Sequence, residues 1–277
     1  MPMADVNGVS LYYESTGAGE PPLVLVHGFA CGIRSWDFQV KAVARGRRVV
    51  AYDVRGHGIS GAPREASAYS QPTSVADLDG LLAHLGIRRA VVGGLSMGGN
   101  IALNFALAHP DMVSGLIVAD TGAGSDETSA WVGDAGSFAD TLERRGMEAF
   151  ADQAFENPLF ARYVAQGPEA ERFIRGCLMA HRAHGIAHTA REVLSKRPTI
   201  YSLEPRLREL RVPALLIVGE HDEPCRKVHD FMARTIPGAR HVVLAGLGHL
   251  TPLEAPARFN RLVSRFLTDI ARSATSG

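Results

Sequence analysis

Six short runs of valine, leucine and isoleucine recur along the chain: PLVLVHG at 22–28, RRVVAYD at 47–53, RAVVGGLS at 89–96, SGLIVAD at 114–120, PALLIVGEHD at 213–222 and RHVVLAG at 240–246. None alternates apolar with polar positions, which is the pattern of a strand covered on both faces. Between most of them lie amphipathic stretches of helical length, among them SVADLDGLLAHLG at 74–86, MGGNIALNFALAHP at 97–110 and PARFNRLVSRFLTDIA at 256–271. Buried strands alternating with helices predict an α/β fold, a mostly parallel sheet with right-handed crossovers flanked by helices. GVSLYYES at 8–15 does alternate, and is expected to be an antiparallel edge strand.

This rhythm stops near residue 122 and resumes near 206. The intervening TLERRGMEAFADQAF, EAERFIRGCLMAHRAH and TAREVLSKR are helical in period and rich in arginine and histidine. The expected organisation is a core domain made of residues 1–121 and 206–277, with residues 122–205 forming a helical cap over the sheet. A chain of 277 residues suits one core with such an insertion.

Charge and cysteine usage narrow the partners. Lysine plus arginine equals aspartate plus glutamate at 29 each, which leaves no basic stripe for nucleic acid and no polybasic arm for a membrane surface. A small, roughly neutral substrate suits this balance better than a polyanion. Cys31, Cys177 and Cys225 are far apart and show no CxxC spacing, so neither a disulfide framework nor a zinc ribbon is expected, and they read as ordinary thiols. With no visible secretory signal and no apolar run of about 18 residues, the expectation is a soluble cytoplasmic protein. The oligomeric state is left open, a homodimer being one option.

The chemistry concentrates around VVGGLSMGGN at 91–100, where a β-branched strand enters a glycine-rich bend and leaves as a helix. Gly94-Leu95-Ser96-Met97-Gly98 fits G-x-S-x-G in the strand-turn-helix context that motif requires. Small neighbours permit a strained turn that exposes Ser96 Oγ beside a helix N-terminus, whose amides favour developing negative charge. A serine hydroxyl becomes a nucleophile at neutral pH only when a base takes its proton and a carboxylate orients that base. AGLGHLTPLE places His249 after the last strand, and IVGEHDEP places Asp222 after the one before. Glu220, Glu223 and Asp120 compete with Asp222 for the role of acid.

LVHGFACGIRSW, YDVRGHGIS, GLSMGG, VGEHD and GLGH together resemble, in order and spacing, the recurrent motifs of the α/β-hydrolase superfamily over nearly the whole chain. The resemblance implies the α/β-hydrolase fold, with Ser96, Asp222 and His249 as catalytic residues and the backbone amides of Phe29 and Met97 as the oxyanion hole. It implies no metal and no organic cofactor. A serine at the elbow argues against dehalogenase and epoxide hydrolase chemistry, where relatives use aspartate. Size, motif wording and a single helical cap look closest to small-molecule esterases and to enol-lactonases of the 3-oxoadipate type. Carbon–carbon hydrolases of ring-cleavage products are the alternative, but those relatives usually carry tryptophan after the catalytic histidine, where this chain has Leu250. Cofactor-free perhydrolases share the same triad, and a non-catalytic receptor would keep the fold without needing it. If His249 is the base, the rate should rise with pH through an apparent pKa of roughly 6 to 7.

Other polar residues have plainer roles. His27 is expected to anchor its own loop, and Asp53, Arg55 and His57 to be scaffold. His181, His184 and His188 stand three and four apart, and are expected on a solvated or substrate-facing surface rather than around a metal. Arg144, Arg145, Arg172, Arg175 and Arg182 read as charged exterior, with the option that one of them meets an anionic group on the substrate. Trp131 and Phe138 are expected to pack the insertion onto the sheet.

Overall fold

The computed structural model describes residues 1–124 and 130–275, with side chains for 1–124 and 133–273. The apolar runs become strands β3 (Leu23–Val26), β4 (Val49–Tyr52), β5 (Ala90–Leu95), β6 (Val113–Ala119), β7 (Ala214–Gly219) and β8 (Arg240–Leu244), preceded by β1 (Met3–Val6) and β2 (Val9–Thr16). They form one sheet of eight strands in the order β1-β2-β4-β3-β5-β6-β7-β8. Strands β3 to β8 pair in parallel, and β2 pairs antiparallel with both β1 and β4.

Two details differ from the sequence pattern. The alternating segment at 8–15 lies one strand in from the edge, because the four-residue β1 folds back on it. RHVVLAG forms an outer strand rather than one covered on both faces: β8 pairs only with β7, and Val243 is 42% exposed. An apolar run of this length looks the same at the centre and the rim of a sheet, because only its neighbours decide its burial.

Helices α1 (Asp37–Val43), α2 (Gln71–His84) and α3 (Met97–Ala108) follow the first parallel strands. Ser70 caps α2 by accepting the Thr73 N–H at 3.1 Å. α3 is apolar almost all round because it is covered on every side, packed against β3, β5 and β6 and against α2. Between β6 and β7 the chain runs through α4 (Ala130–Glu156, broken at Gly146 with φ 80°), α5 (Pro158–Val164), α6 (Pro168–Met179), α7 (Ala183–His188), a π-helical turn (Thr189–Leu194) and α8 (Glu204–Glu209). Helix α9 (Glu223–Thr235) precedes β8, and the short α10 (Thr251–Glu254) leads into α11 (Pro256–Thr275). Among the described residues no helix is long and apolar enough to cross a membrane.

The order 4-3-5 means that the chain leaves β3 toward one side of the sheet and returns to the other. Such a reversal opens a crevice at the carboxyl ends of the strands. The turns after β3, β5, β6, β7 and β8 all emerge there.

Candidate active site

Ser96 sits between β5 and α3 with φ 54° and ψ −112°, a backbone conformation that costs an L-residue free energy and persists only when its surroundings enforce it. The enforcement is steric. A Cβ at Gly94 would stand 2.1 Å from the Gly98 backbone, and one at Gly98 would stand 2.1 Å from the Val26 carbonyl oxygen. The two bare positions let helix, elbow and β3 close on one another, and the Ser96 N–H is held by the Ala119 carbonyl at 2.8 Å.

Three residues remote in sequence meet at this elbow. His249 Nε2 lies 2.9 Å from Ser96 Oγ, and His249 Nδ1 lies 2.7 Å from Asp222 Oδ2. With Nδ1–H donated to the carboxylate, Nε2 is left to accept the hydroxyl proton. Both His249 and Asp222 are buried. Burial alone would lower the imidazole's affinity for a proton, but the Asp222 charge and hydrogen bond outweigh it and raise the pKa above the ordinary 6.5. The pH–rate profile should therefore rise through an apparent pKa above 6.5; a midpoint near 5 in initial rates would remove His249 as the group being titrated.

The loops that carry this pair are pinned by two other carboxylates. Glu254 accepts the Gly248 N–H at 2.7 Å and the Leu250 N–H at 3.0 Å, one on either side of His249. Asp120 ends β6 and accepts from Gly219 N at 3.0 Å, from Thr251 N at 3.0 Å and from Thr251 Oγ1 at 2.6 Å. It thus ties β7, which leads to Asp222, to the turn after His249. Complete burial, reinforced by the Asp222 charge, pushes its carboxyl well above the usual range. Of the four competing carboxylates, Asp222 is the one hydrogen-bonded to the imidazole, and Glu220 instead accepts the Gly246 N–H.

Phe29 follows Gly28 after β3, and Met97 opens α3. A Cβ on Gly28 would lie 3.5 Å from Ser96 Cβ, so the two segments touch beside the hydroxyl. Neither amide N–H donates to a described protein atom. The Phe29 loop is held by three buried imidazoles. His27 donates from Nδ1 to Gly28 O and accepts Val54 N–H; His57 donates to Arg55 O and accepts Ala30 N–H; His181 donates from Nε2 to Ala30 O and accepts Gly58 N–H. Each ring uses one nitrogen as donor and one as acceptor, which only the neutral tautomer can do. Arg55 is fixed nearby by a buried bidentate pair with Asp77, both contacts at 2.8 Å, and Asp53 accepts the Ile33 and Ile59 amides.

The insertion histidines therefore differ from expectation. His181 falls between α6 and α7 and is buried, while His184 and His188 bond the Ala62 and Arg64 carbonyls at 3.0 and 2.9 Å. His184 and His188 keep part of the expected solvent exposure, but all three dock the insertion on the core and none lines the Ser96 cavity, because the break before α7 turns the row toward the loop after β4. Phe138 stacks on Phe29 and so packs against this loop more than on the sheet; the Trp131 side chain lies outside the described residues.

Burial lowers His27 and His181 to about 4, and His57 well below 6.5. The unfolded chain binds these protons from about pH 6.5 downward and the folded chain does not, so this contribution to stability is intact above pH 6.5 and is lost as pH falls toward 4. Chemical denaturation followed from pH 7 to 4.5 should show it. In His181→Gln the slope of stability against pH over that range should shrink by up to ~1.4 kcal/mol per pH unit; an unchanged slope would refute the assignment.

Ser96 and His249 open into a cavity of about 300 Å³ walled by Gly122, Ala123, Pro158, Leu159, Pro224 and Arg197 among others. None of the five arginines singled out from the sequence lines it. Arg144, Arg145, Arg172 and Arg182 are exposed, and Arg175 pairs with Glu148 and Asp152 over the Phe155 ring. Arg197 and Glu254 carry no local signal: one sits in SKRPT ahead of a proline, the other ends the four-residue helix α10 in a mostly apolar stretch. Asp222, Cys225 and His249 bring their donor atoms within 4.8 Å of one another. His249 Nδ1 is already committed to Asp222, and burial keeps the Cys225 thiol protonated, so the cluster is a hydrogen-bonded one.

An eight-stranded, mostly parallel sheet with a strained serine elbow at its carboxyl edge defines the class. The chain belongs to the alpha/beta hydrolase fold family, whose model matches residues 21–256, and hydrolase activity is what the family and its relatives support. The enol-lactonase of Burkholderia xenovorans LB400 is 31% identical, covers 96% of this chain and 100% of its own, and superposes with a TM-score of 0.83. The 2-hydroxymuconate semialdehyde hydrolase of Pseudomonas sp. (strain CF600) is 30% identical over 97% of this chain and 94% of its own. A Bacillus subtilis (strain 168) protein named for 2-succinyl-6-hydroxy-2,4-cyclohexadiene-1-carboxylate synthase activity is 30% identical, with 93% of each chain covered. These relatives are named for different activities, so fold alone does not choose a reaction.

Proposed function

We propose that the protein is a serine hydrolase that cleaves a carboxylic ester or lactone of a small molecule through an acyl-enzyme on Ser96. The observation that carries this reading is the unbroken run from Ser96 Oγ through His249 to Asp222, at 2.9 and 2.7 Å. His249 takes the hydroxyl proton as Oγ adds to the carbonyl, and Asp222 holds the tautomer and stabilises the imidazolium. The Phe29 and Met97 amides receive the oxyanion, two preorganised donors worth about 3 kcal/mol each in the transition state. His249 then gives its proton to the leaving alkoxide, or to the ring oxygen of a lactone. It next takes a proton from water, whose oxygen attacks the acyl carbon and frees the acid and Ser96.

The enol-lactonase and the 2-hydroxymuconate semialdehyde hydrolase are similar to this chain to nearly the same degree; what favours the ester or lactone over the carbon–carbon bond is Leu250, which stands where ring-cleavage hydrolases usually have tryptophan. The test is a panel of aryl esters, lactones and vinylogous diketones, read with mass spectrometry after a serine-directed phosphonate. We expect a nitrophenol burst from the esters and one phosphonate adduct on the peptide containing Ser96. Turnover confined to the diketones would replace the reading with carbon–carbon hydrolysis, and no adduct with no burst would favour a receptor.

A further inference from the structure

Three described arginines are buried, and two of them are satisfied. Arg55 is paired with Asp77, and Arg47 donates to the Pro21 and Leu267 carbonyls. The third, Arg197, is 4% exposed, and its Nε and Nη1 have no hydrogen-bond partner. Its backbone is fixed from both sides. Arg197 N–H closes on Val193 O at 3.0 Å, and the next residues pack on the Ala123–Gly124 segment, where Ile200 N–H meets Ala123 O.

Arg197 lines the same cavity as Ser96 and His249. Two carboxylates share that wall: Asp222 is tied to His249, and Asp134 is exposed to solvent. Burial lowers Arg197 to about 10, which leaves it cationic at neutral pH, and among the described residues the one titratable group that acts on it is the Cys225 thiol, itself held neutral by burial. A buried cation without counter-charge is costly unless something completes it. A planar guanidinium presents forks of parallel N–H groups that match a carboxylate.

We propose that Arg197 anchors a carboxylate on the substrate, so that the ester or lactone presented to Ser96 is that of a small carboxylate-bearing acid, an anion rather than a neutral molecule. This rests on the acyl-enzyme reading for its chemistry. The even balance of charge over the whole chain suggests a neutral ligand, but one unpaired cation in a cavity whose carboxylates are either tied to His249 or open to solvent outweighs a net charge that is dispersed over the exterior.

The experiment compares two nitrophenyl esters of matched length, the mono-ester of glutarate and the ester of butyrate, after subtraction of spontaneous hydrolysis. In the wild type kcat/KM for the glutarate mono-ester should exceed that for butyrate at least tenfold. In Arg197→Gln the ratio should fall toward one, through KM more than kcat, and Arg197→Lys should restore part of it. Because a ratio is read, loss of folded protein cancels. A wild-type ratio at or below one, or a ratio unchanged in Arg197→Gln, overturns the proposal. A second arm does not depend on catalysis: glutarate should raise the Tm of the wild type and leave that of Arg197→Gln unmoved, while the diamide of glutarate moves neither. If no ester is turned over and Ser96 takes no phosphonate, the acyl-enzyme reading fails and the Tm arm alone decides Arg197, an absent glutarate shift overturning it.

Discussion

Ser96→Ala is expected to lower kcat for an activated aryl ester by about a millionfold, with the burst abolished and Tm essentially unchanged. The size of the effect follows from how the three residues act as a unit. His249 Nε2 is placed to take a proton from one oxygen, 2.9 Å away, and Asp222 acts only through His249. Without that oxygen the imidazole has nothing to deprotonate except a water that the site does not orient. What would remain is stabilisation by the amides of Phe29 and Met97, the proposed oxyanion hole, and binding in the cavity, which elsewhere leaves a residual of about 10³ to 10⁴ over water. Stability should survive because the strained turn at φ 54° is held by its neighbours, and removing Oγ creates no new clash. Stopped-flow measurement of the burst decides it. Retention of more than about a hundredth of the wild-type burst rate would show that another group is the nucleophile.

The second large effect separates two carboxylates. Asp222→Asn should cost about 10⁴ in kcat with little change in Tm, because an amide nitrogen facing His249 Nδ1 forces the wrong tautomer and gives the imidazolium no counter-charge. Asp120→Asn should show the opposite balance. Each Asp120 oxygen accepts from a backbone N–H, Gly219 on one side and Thr251 on the other. An asparagine must turn its NH₂ toward one of them and leave two buried donors face to face, at a cost of about 2 kcal/mol. For a chain of this size that is a loss of ~5 °C in Tm, with a rate loss of about tenfold from the loosened loops. Thermal melts and steady-state rates of both variants give the answer. If Asp120→Asn lost 10⁴ in rate and Asp222→Asn did not, the two roles would be exchanged.

How much of this was legible in the letters depended on whether the information was local. The elbow could be read because its cause is steric and spans a few residues: Gly94 and Gly98 are required by atoms of their own turn and of β3. The strands could be read because each run is apolar throughout. β1 escaped because four residues of mixed polarity carry no period, and β8 was placed too deep because hydrophobicity does not report which flank of the sheet a strand occupies. The histidine row at 181, 184 and 188 was visible as spacing, yet its use as a clasp depends on carbonyls at positions 30, 62 and 64.

Order of elements, a parallel sheet, a serine on a sharp bend, and a histidine and an aspartate in loops after the last two strands were determined by the sequence alone, since periodicity and backbone sterics act between near neighbours. The tertiary structure decided which carboxylate faces His249, which imidazoles must stay neutral, and which arginine is left without a partner. Those are properties of pairing and desolvation, and they are sums over atoms that the chain brings together from far apart: Asp222 and His249, Ala30 and His181, and Arg197 with no counter-charge to meet among the described residues.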